Sequence, residues 1–160
     1  VMYARVAELA EVTPGMRVVD LFSGLGGIGL HLARAGASVV AVEIDRDAIA
    51  QLRSAADRAK LSLTTVAADA GDLPEALREG LGAKPGVVVV NPPRKGLSAG
   101  ALDLLVDLAA RTVIYVSCGP EALGRDLVAL AAHGWVPDVI EPFDLMPGTA
   151  QIETVVRLRR

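Results

Sequence analysis

Five short runs rich in β-branched residues, MRVVDLF, SVVAVE, LTTVAA, GVVVVN and RTVIYVS, are each followed by a segment of helical pattern. This alternation constrains the fold more than any other feature, because strand-helix repeats build βαβ units around a parallel sheet. Such sheets are covered on both faces, so their strands stay apolar throughout. The composition agrees: 52% of residues are hydrophobic but only 3% aromatic, which leaves Val, Leu, Ile and Ala to build the core. Helix starts are marked by Asp45, by Asp72 with Glu75 around Pro74, and by Pro120 in a first helical turn. His133 and Gly134 close the helix that Pro120 opens. The rhythm then changes, since WVPDVIEPFDL and QIETVVRLR are strand-like runs joined by the turn-rich MPGTA with no helix between them. An α/β fold whose sheet ends in an antiparallel pair is expected.

A length of 160 residues fits one domain spanning the whole chain. The chain begins at Val1 without an initiator methionine, so a domain cut from a longer polypeptide is expected. A net charge of -3 gives no general attraction to nucleic acid. The single cysteine, Cys118, excludes an internal disulfide, a zinc site of the CxxC type and a self-contained iron-sulfur cluster. No metal and a reducing, cytoplasmic setting are expected. No apolar run is long enough to span a bilayer, and residues 1–10 lack the pattern of a secretory leader.

VVDLFSGLGGIGLHLA sets Gly24, Gly26 and Gly29 in G-x-G-x-x-G spacing between a strand and a helix. Glycines there allow a tight turn and close approach to a ligand faced by helix amides. Glu43 ends the second strand, where a carboxylate can accept hydrogen bonds from both hydroxyls of a ribose. Asp69 ends the third, placed to bind a nucleobase or to cap the following loop. Nicotinamide and flavin enzymes share the spacing, but Asp20, four residues before Gly24, replaces the apolar residue usual in dehydrogenases. With these residues the chain resembles the class I methyltransferases that bind S-adenosylmethionine. The resemblance implies Asp20, Ser23 and the glycine loop under the methionine part, Glu43 on the ribose, and Asp69 with Asn91 near the adenine.

Three further stretches, NPPRKGL, SCGPEALGRDL and PFDLMPGTAQIET, follow in the order found in the catalytic domain of RNA uracil-5-methyltransferases, which make 5-methyluridine in transfer and ribosomal RNA. The resemblance spans nearly the whole chain. It implies a Rossmann-like, seven-stranded, mostly parallel sheet of order 3-2-1-4-5-7-6, the last strand antiparallel, with helices on both faces. Carbon 5 of uracil is a poor nucleophile; a thiolate adding to carbon 6 makes it electron-rich enough to take a methyl group. Cys118 is the candidate nucleophile, and the positive end of the helix opened by Pro120 favours its thiolate. Glu153 matches the family's base, which removes the remaining proton from carbon 5. Asn91 would read the uracil edge beside Pro92, and Arg94 and Lys95 would hold a phosphate or the flipped nucleotide. Structured RNA, ribosomal or transfer, is the implied partner, with upstream domains supplying affinity. Asn91, Gly119 and Gln151 depart from the family's commoner Asp, Asn and His.

Plainer roles are open to several residues. A lone cysteine at a strand end is usually a small buried hydrophobe. Trp135 and Phe143 read as packing, His31 and His133 as helix-surface residues, and Arg157, Arg159 and Arg160 as a solvated end. The rival functions are another methyltransferase chemistry on the same fold, a non-catalytic RNA-binding or assembly domain, and a nicotinamide-dependent oxidoreductase.

Overall fold

A computed structural model describes residues 1–81, 84–145, 147–149 and 151–160. Met146 and Ala150, the ends of the expected MPGTA turn, lie outside the described residues. The elements are α1 (Met2–Leu9), β1 (Arg17–Leu21), α2 (Gly27–Arg34), β2 (Ser38–Glu43), α3 (Arg46–Ala59), β3 (Leu63–Ala67) and α4 (Glu75–Leu81). They continue with β4 (Val87–Val90), α5 (Ala99–Leu108), β5 (Thr112–Ser117), α6 (Pro120–Ala132), β6 (Val136–Phe143) and β7 (Glu153–Arg159). The seven strands form one sheet in the expected order, β3-β2-β1-β4-β5-β7-β6. β1 to β5 pair in parallel, and β7 runs antiparallel between β5 and β6.

Strand alternation divides the core in two. Val19, Leu21, Val88, Val90, Val113 and Tyr115 face Leu73 and Leu81 beside and on α4, Leu104 and Leu105 on α5, and Leu123 and Leu130 on α6. Val18, Val39, Val87, Val89, Ile114 and Val116 face Val6 and Leu9 on α1 and Ile28 and Leu32 on α2. The order in which strands are added reverses between the parallel β1 and β4, and the crevice beyond the carboxyl ends of these strands is where doubly wound sheets take ligands.

Local chemistry explains the boundaries. Asp45 caps α3 through its side chain, accepting from the amides of Asp47 and Ala48 at 2.8 and 3.2 Å. α4 starts from Pro74, whose carbonyl accepts from Leu77 and Arg78. Pro120 occupies the first turn of α6. Trp135 is fully buried and donates its indole N–H to the Ala110 carbonyl at 3.0 Å, as a packing residue.

Two parts differ from the sequence reading. α1 is an added helix, whose apolar Met2, Val6 and Leu9 lie on one face at helical spacing and are buried. The C-terminal arginines are not a solvated end. Arg157 forks onto Asp138 at 2.8 and 3.0 Å and reaches Glu11 at 3.0 Å, while Arg159 pairs with Glu11 and Asp138. Arg160 stacks over Trp135 with 4.7 Å to the ring centroid. With Arg5 bonded to Glu141 at 2.6 and 2.8 Å, these pairs tie α1 to the antiparallel edge of the sheet. Long basic side chains on an antiparallel edge can bridge sideways to a neighbouring helix, which strand alternation alone does not reveal.

Candidate active site

A cleft of about 390 Å³ opens beyond the ends of β1 to β4, lined by Phe22, Glu43, Ile44, Asp69, Asn91, Pro93, Lys95 and Ser98 among others. The glycine loop follows Phe22, which lines the cleft. Gly26 caps α2 with φ +79, and a β-carbon on it would collide with Leu52 of α3, so only glycine fits there. Glu43 ties the loop to β2: its carboxylate accepts from the Gly24 amide at 2.8 Å and from the Asp45 amide at 3.0 Å. Asp69 accepts from the Gly71 amide at 2.7 Å, which shapes the turn after β3.

Asp20 lies beneath this loop rather than on the cleft wall. It shares a sheet face with Val18, is 1% exposed, and meets α2 where a β-carbon on Gly29 would come within 2.8 Å of its Oδ2. Among the described residues, the Gly29 amide faces the Asp20 carboxylate, but neither Asp20 oxygen nor the buried Ser23 hydroxyl has a partner at full hydrogen-bond geometry. Burial pushes the Asp20 carboxyl up to about 7; the Gly29 amide partly offsets this, and the Glu43 charge adds to it.

The second group of residues comes from three other segments. Asn91 lines the cleft, Pro92 is buried, and Arg94 and Lys95 are exposed on the loop after β4. Cys118 is half-buried between β5 and the Gly119 cap of α6. The Ser117 hydroxyl accepts from the Gly119 amide and donates to its carbonyl, both at 3.1 Å, fixing that turn. A β-carbon on Gly119 would lie 3.2 Å from the Arg94 carbonyl, so the two loops are in close contact. β5 and β7 pair up to Ser117 opposite Thr154. The ladder ends there: Cys118 follows β5 in the bend before α6, and Glu153 opens β7 one residue before Thr154, so the two segments lie at the same end of the sheet. Burial raises the Glu153 carboxyl above its ordinary value, and the positive charge of Arg94 pulls it partly back. Gln151 is exposed.

Sequence reasoning missed Phe22, Ile44 and Ser98. Phe22 adopts φ 60, a left-handed conformation that a bulky residue takes only when its surroundings demand it. Ile44 is 64% exposed immediately after Glu43, and an apolar residue in that position was the available signal. Ser98 caps α5 by accepting from the Ala101 amide at 3.2 Å. No signal in the sequence shows that this cap also closes the cleft.

Comparison with known proteins agrees with this geometry. Residues 18–80 match a methyltransferase domain, and residues 83–160 match the tRNA (uracil-5-)-methyltransferase family. An uncharacterized RNA methyltransferase of Enterococcus faecalis is 36% identical over all of this chain, which covers 35% of that relative. A counterpart in Clostridium tetani is 34% identical, with 99% of this chain and 34% of the relative covered. Among solved structures, the Pyrococcus abyssi tRNA (uracil-54, C5)-methyltransferase in complex with S-adenosyl-L-homocysteine superposes with a TM-score of 0.81 at 25% identity. That superposition covers 98% of this chain and 38% of the Pyrococcus chain. The fold and the cleft are those of a class I S-adenosylmethionine-dependent methyltransferase domain. Within that class, the chain belongs to the RNA uracil-5-methyltransferase family. It spans about a third of the length of the curated relatives it matches.

S-adenosylmethionine fits the residues present. Glu43 and Asp69 offer carboxylates along one wall, and no atom lies within 4 Å of where a side chain on Gly24 would begin. Beneath the loop, the unpartnered oxygens of Asp20 and Ser23 have capacity for a polar or cationic group. The family match sets aside the nicotinamide oxidoreductase reading, which rested on glycine spacing alone. Among the described residues no helix is long and apolar enough to cross a membrane.

Proposed function

We propose that the protein methylates carbon 5 of a uridine in structured RNA through a transient bond between the Cys118 sulfur and carbon 6. The observation that supports this reading is the β5–β7 pairing of Ser117 with Thr154, which sets the segments carrying Cys118 and Glu153 side by side at one end of the sheet, next to the Arg94 loop. S-adenosylmethionine, when bound against Glu43, Asp69 and the glycine loop, supplies an electrophilic sulfonium methyl group. On the protein's side, the sulfur adds to carbon 6, and the ring electrons so displaced make carbon 5 nucleophilic. Once carbon 5 carries its new methyl group, Glu153 accepts the proton left there, the carbon-sulfur bond breaks, and the Cys118 sulfur is released. A carboxylate with a raised pKa is a better proton acceptor, which suits Glu153 to this step.

Asn91 presents an amide to the base edge, and Arg94 and Lys95 stand where a phosphate of the extruded nucleotide would lie. The target carbons are stacked inside a duplex, so the uridine must be single-stranded or flipped out. With a net charge of -3 over these residues, RNA affinity is shared with parts of the protein outside this domain.

The test is to incubate the full natural polypeptide with unmodified transfer and ribosomal RNA and methyl-labelled cofactor, then digest the RNA to nucleosides for mass analysis. Label in 5-methyluridine is the expected result; label confined to another nucleoside overturns the reading. In Glu153→Gln the covalent protein-RNA species should accumulate on a denaturing gel. Product release at the wild-type rate would remove Glu153 from the mechanism.

A further inference from the structure

The stretch SCGPEALGRDL contains, besides Glu121, the charged pair Arg125 and Asp126, to which the chemistry above gives no role. Asp126 lies midway along α6, is 8% exposed, and with Asp20 and Ser117 makes up the buried polar residues among those described. Its Oδ2 accepts from the buried Tyr115 hydroxyl at 2.5 Å and from the Leu97 amide at 2.8 Å. Gly96, at φ +82, presses against it so closely that a β-carbon there would lie 2.5 Å from the same oxygen. Next to it, Arg125 donates to the Lys95 carbonyl at 2.9 Å.

Apart from the bond to Tyr115 on β5, these contacts converge on the 91–98 loop. That loop cannot anchor itself with a strand ladder: Pro92 and Pro93 have no amide hydrogen to donate, and its first amide reaches the Leu21 carbonyl only at 3.3 Å. A single turn, from the Gly96 amide to the Pro93 carbonyl at 2.8 Å, closes its tip. The loop is also a partition. Lys95 lines the cofactor-side cleft and, on the other side, a recess of about 300 Å³ shared with Arg94, Gly119, Pro120 and Arg125. The helix that holds this partition is the one that begins two residues after Cys118.

We propose that Asp126 is a positioning residue that sets the 91–98 loop, and with it Asn91 and Arg94, at a fixed distance from Cys118. A charge-assisted hydrogen bond to a backbone amide holds the loop by its chain, independent of the loop's exposed side chains. An apolar residue at this place in α6 would leave the Leu97 amide and the Tyr115 hydroxyl without a partner. Glu43 and Asp69 are held by bonds on other elements, whereas Asn91, Pro93, Lys95, Gly96 and Ser98 of the 91–98 loop line the other side of the same cleft, so the cofactor side depends on Asp126 only in part.

This inference rests on the methyl-transfer reading above, and the two fail separately. Its readout is the rate of methyl incorporation into RNA, whereas the Cys118 mechanism is read by adduct formation in the wild-type protein. The experiment compares wild type, Asp126→Ala, Asp126→Asn and Tyr115→Phe in the full natural polypeptide, measuring kcat and KM for RNA, S-adenosylhomocysteine affinity by calorimetry, and melting temperature. Misplacement of reacting groups by an ångström costs about 100-fold in rate, and that loss in kcat is expected for Asp126→Ala, with a clearly smaller loss of cofactor affinity. Asp126→Asn keeps one acceptor and should recover to within about 10-fold of wild type. Tyr115→Phe, which leaves the Leu97 bond in place, should lose less than Asp126→Ala. Wild-type kcat in a folded Asp126→Ala protein overturns the proposal, as does an equal loss of kcat and cofactor affinity in the two Asp126 variants. If Asp126→Ala does not fold, wild-type kcat in both Asp126→Asn and Tyr115→Phe overturns it equally.

Discussion

The two walls of the cleft are built differently. On the cofactor wall the working groups are already fastened to backbone: Glu43 holds the Gly24 and Asp45 amides, Asp69 holds that of Gly71, and Gly26 is wedged against Leu52. On the side proposed for substrate, next to the cleft, Arg94, Lys95 and Gln151 are exposed, Cys118 and Glu153 are half-buried, and the fastening lies one layer back, in Ser117 and Asp126. A nucleoside cofactor presents the same shape in every turnover, so a wall rigid in advance binds it at little entropic cost. On the proposed function RNA arrives with its base still to be extruded, and exposed side chains on anchored loops can meet it without rebuilding the backbone.

The contrast can be broken most severely where the walls meet. Gly100, in the first turn of α5, lies against the Gly71 carbonyl, so that a β-carbon there would overlap the oxygen. Gly100→Ala should therefore cost about 3 kcal/mol of stability and separate Asp69 from Ser98, measured by denaturant unfolding. A variant of wild-type stability would show that this seam is not rigid.

The next effect tests how the cofactor wall is supported from beneath. The Asp20 carboxyl, raised to about 7 in the folded protein from an unfolded value near 3.8, binds its proton more tightly when folded. The stability it contributes is full below about pH 4 and is lost as pH rises through about 7. Without cofactor, Asp20→Asn should thus gain on wild type by several degrees of Tm between about pH 4 and 7, with no further change above that. A pH-independent difference would contradict the burial argument.

Smallest is Glu43→Gln. Two amides converge on two carboxylate oxygens, and an amide side chain can accept at only one of its two ends. Cofactor affinity should fall about 10-fold with no change in Tm beyond a few degrees. An unchanged affinity would mean that the Gly24 and Asp45 bonds do not organise the wall.

The cofactor wall was legible in the sequence because each of its parts is local: glycines at fixed spacing, and an acid at the end of each of two consecutive strands. Alternating runs likewise showed the parallel strands and the closing antiparallel pair, while the order of the strands came from the family resemblance. Contacts between distant segments were not legible. Nothing near Arg157 announces Glu11, and nothing near Asp126 announces Leu97. α1 was hidden for another reason, since eight residues give only two turns of periodicity, too little to stand out beside a polar loop. Arg125 and Asp126 were quoted within a motif, but their task depends on which loop the fold lays across α6.

The central claim is a bond from the Cys118 sulfur to carbon 6 of uracil. RNA containing 5-fluorouridine tests it most directly, because fluorine on carbon 5 cannot leave as a proton does, and the methylated adduct stays attached to the protein. Incubation of the full natural polypeptide with that RNA and S-adenosylmethionine should yield a denaturation-stable complex whose modified peptide contains Cys118. The complex should be absent in Cys118→Ala, which retains wild-type S-adenosylhomocysteine affinity. An adduct that persists in Cys118→Ala, or one that maps to another residue, contradicts the account.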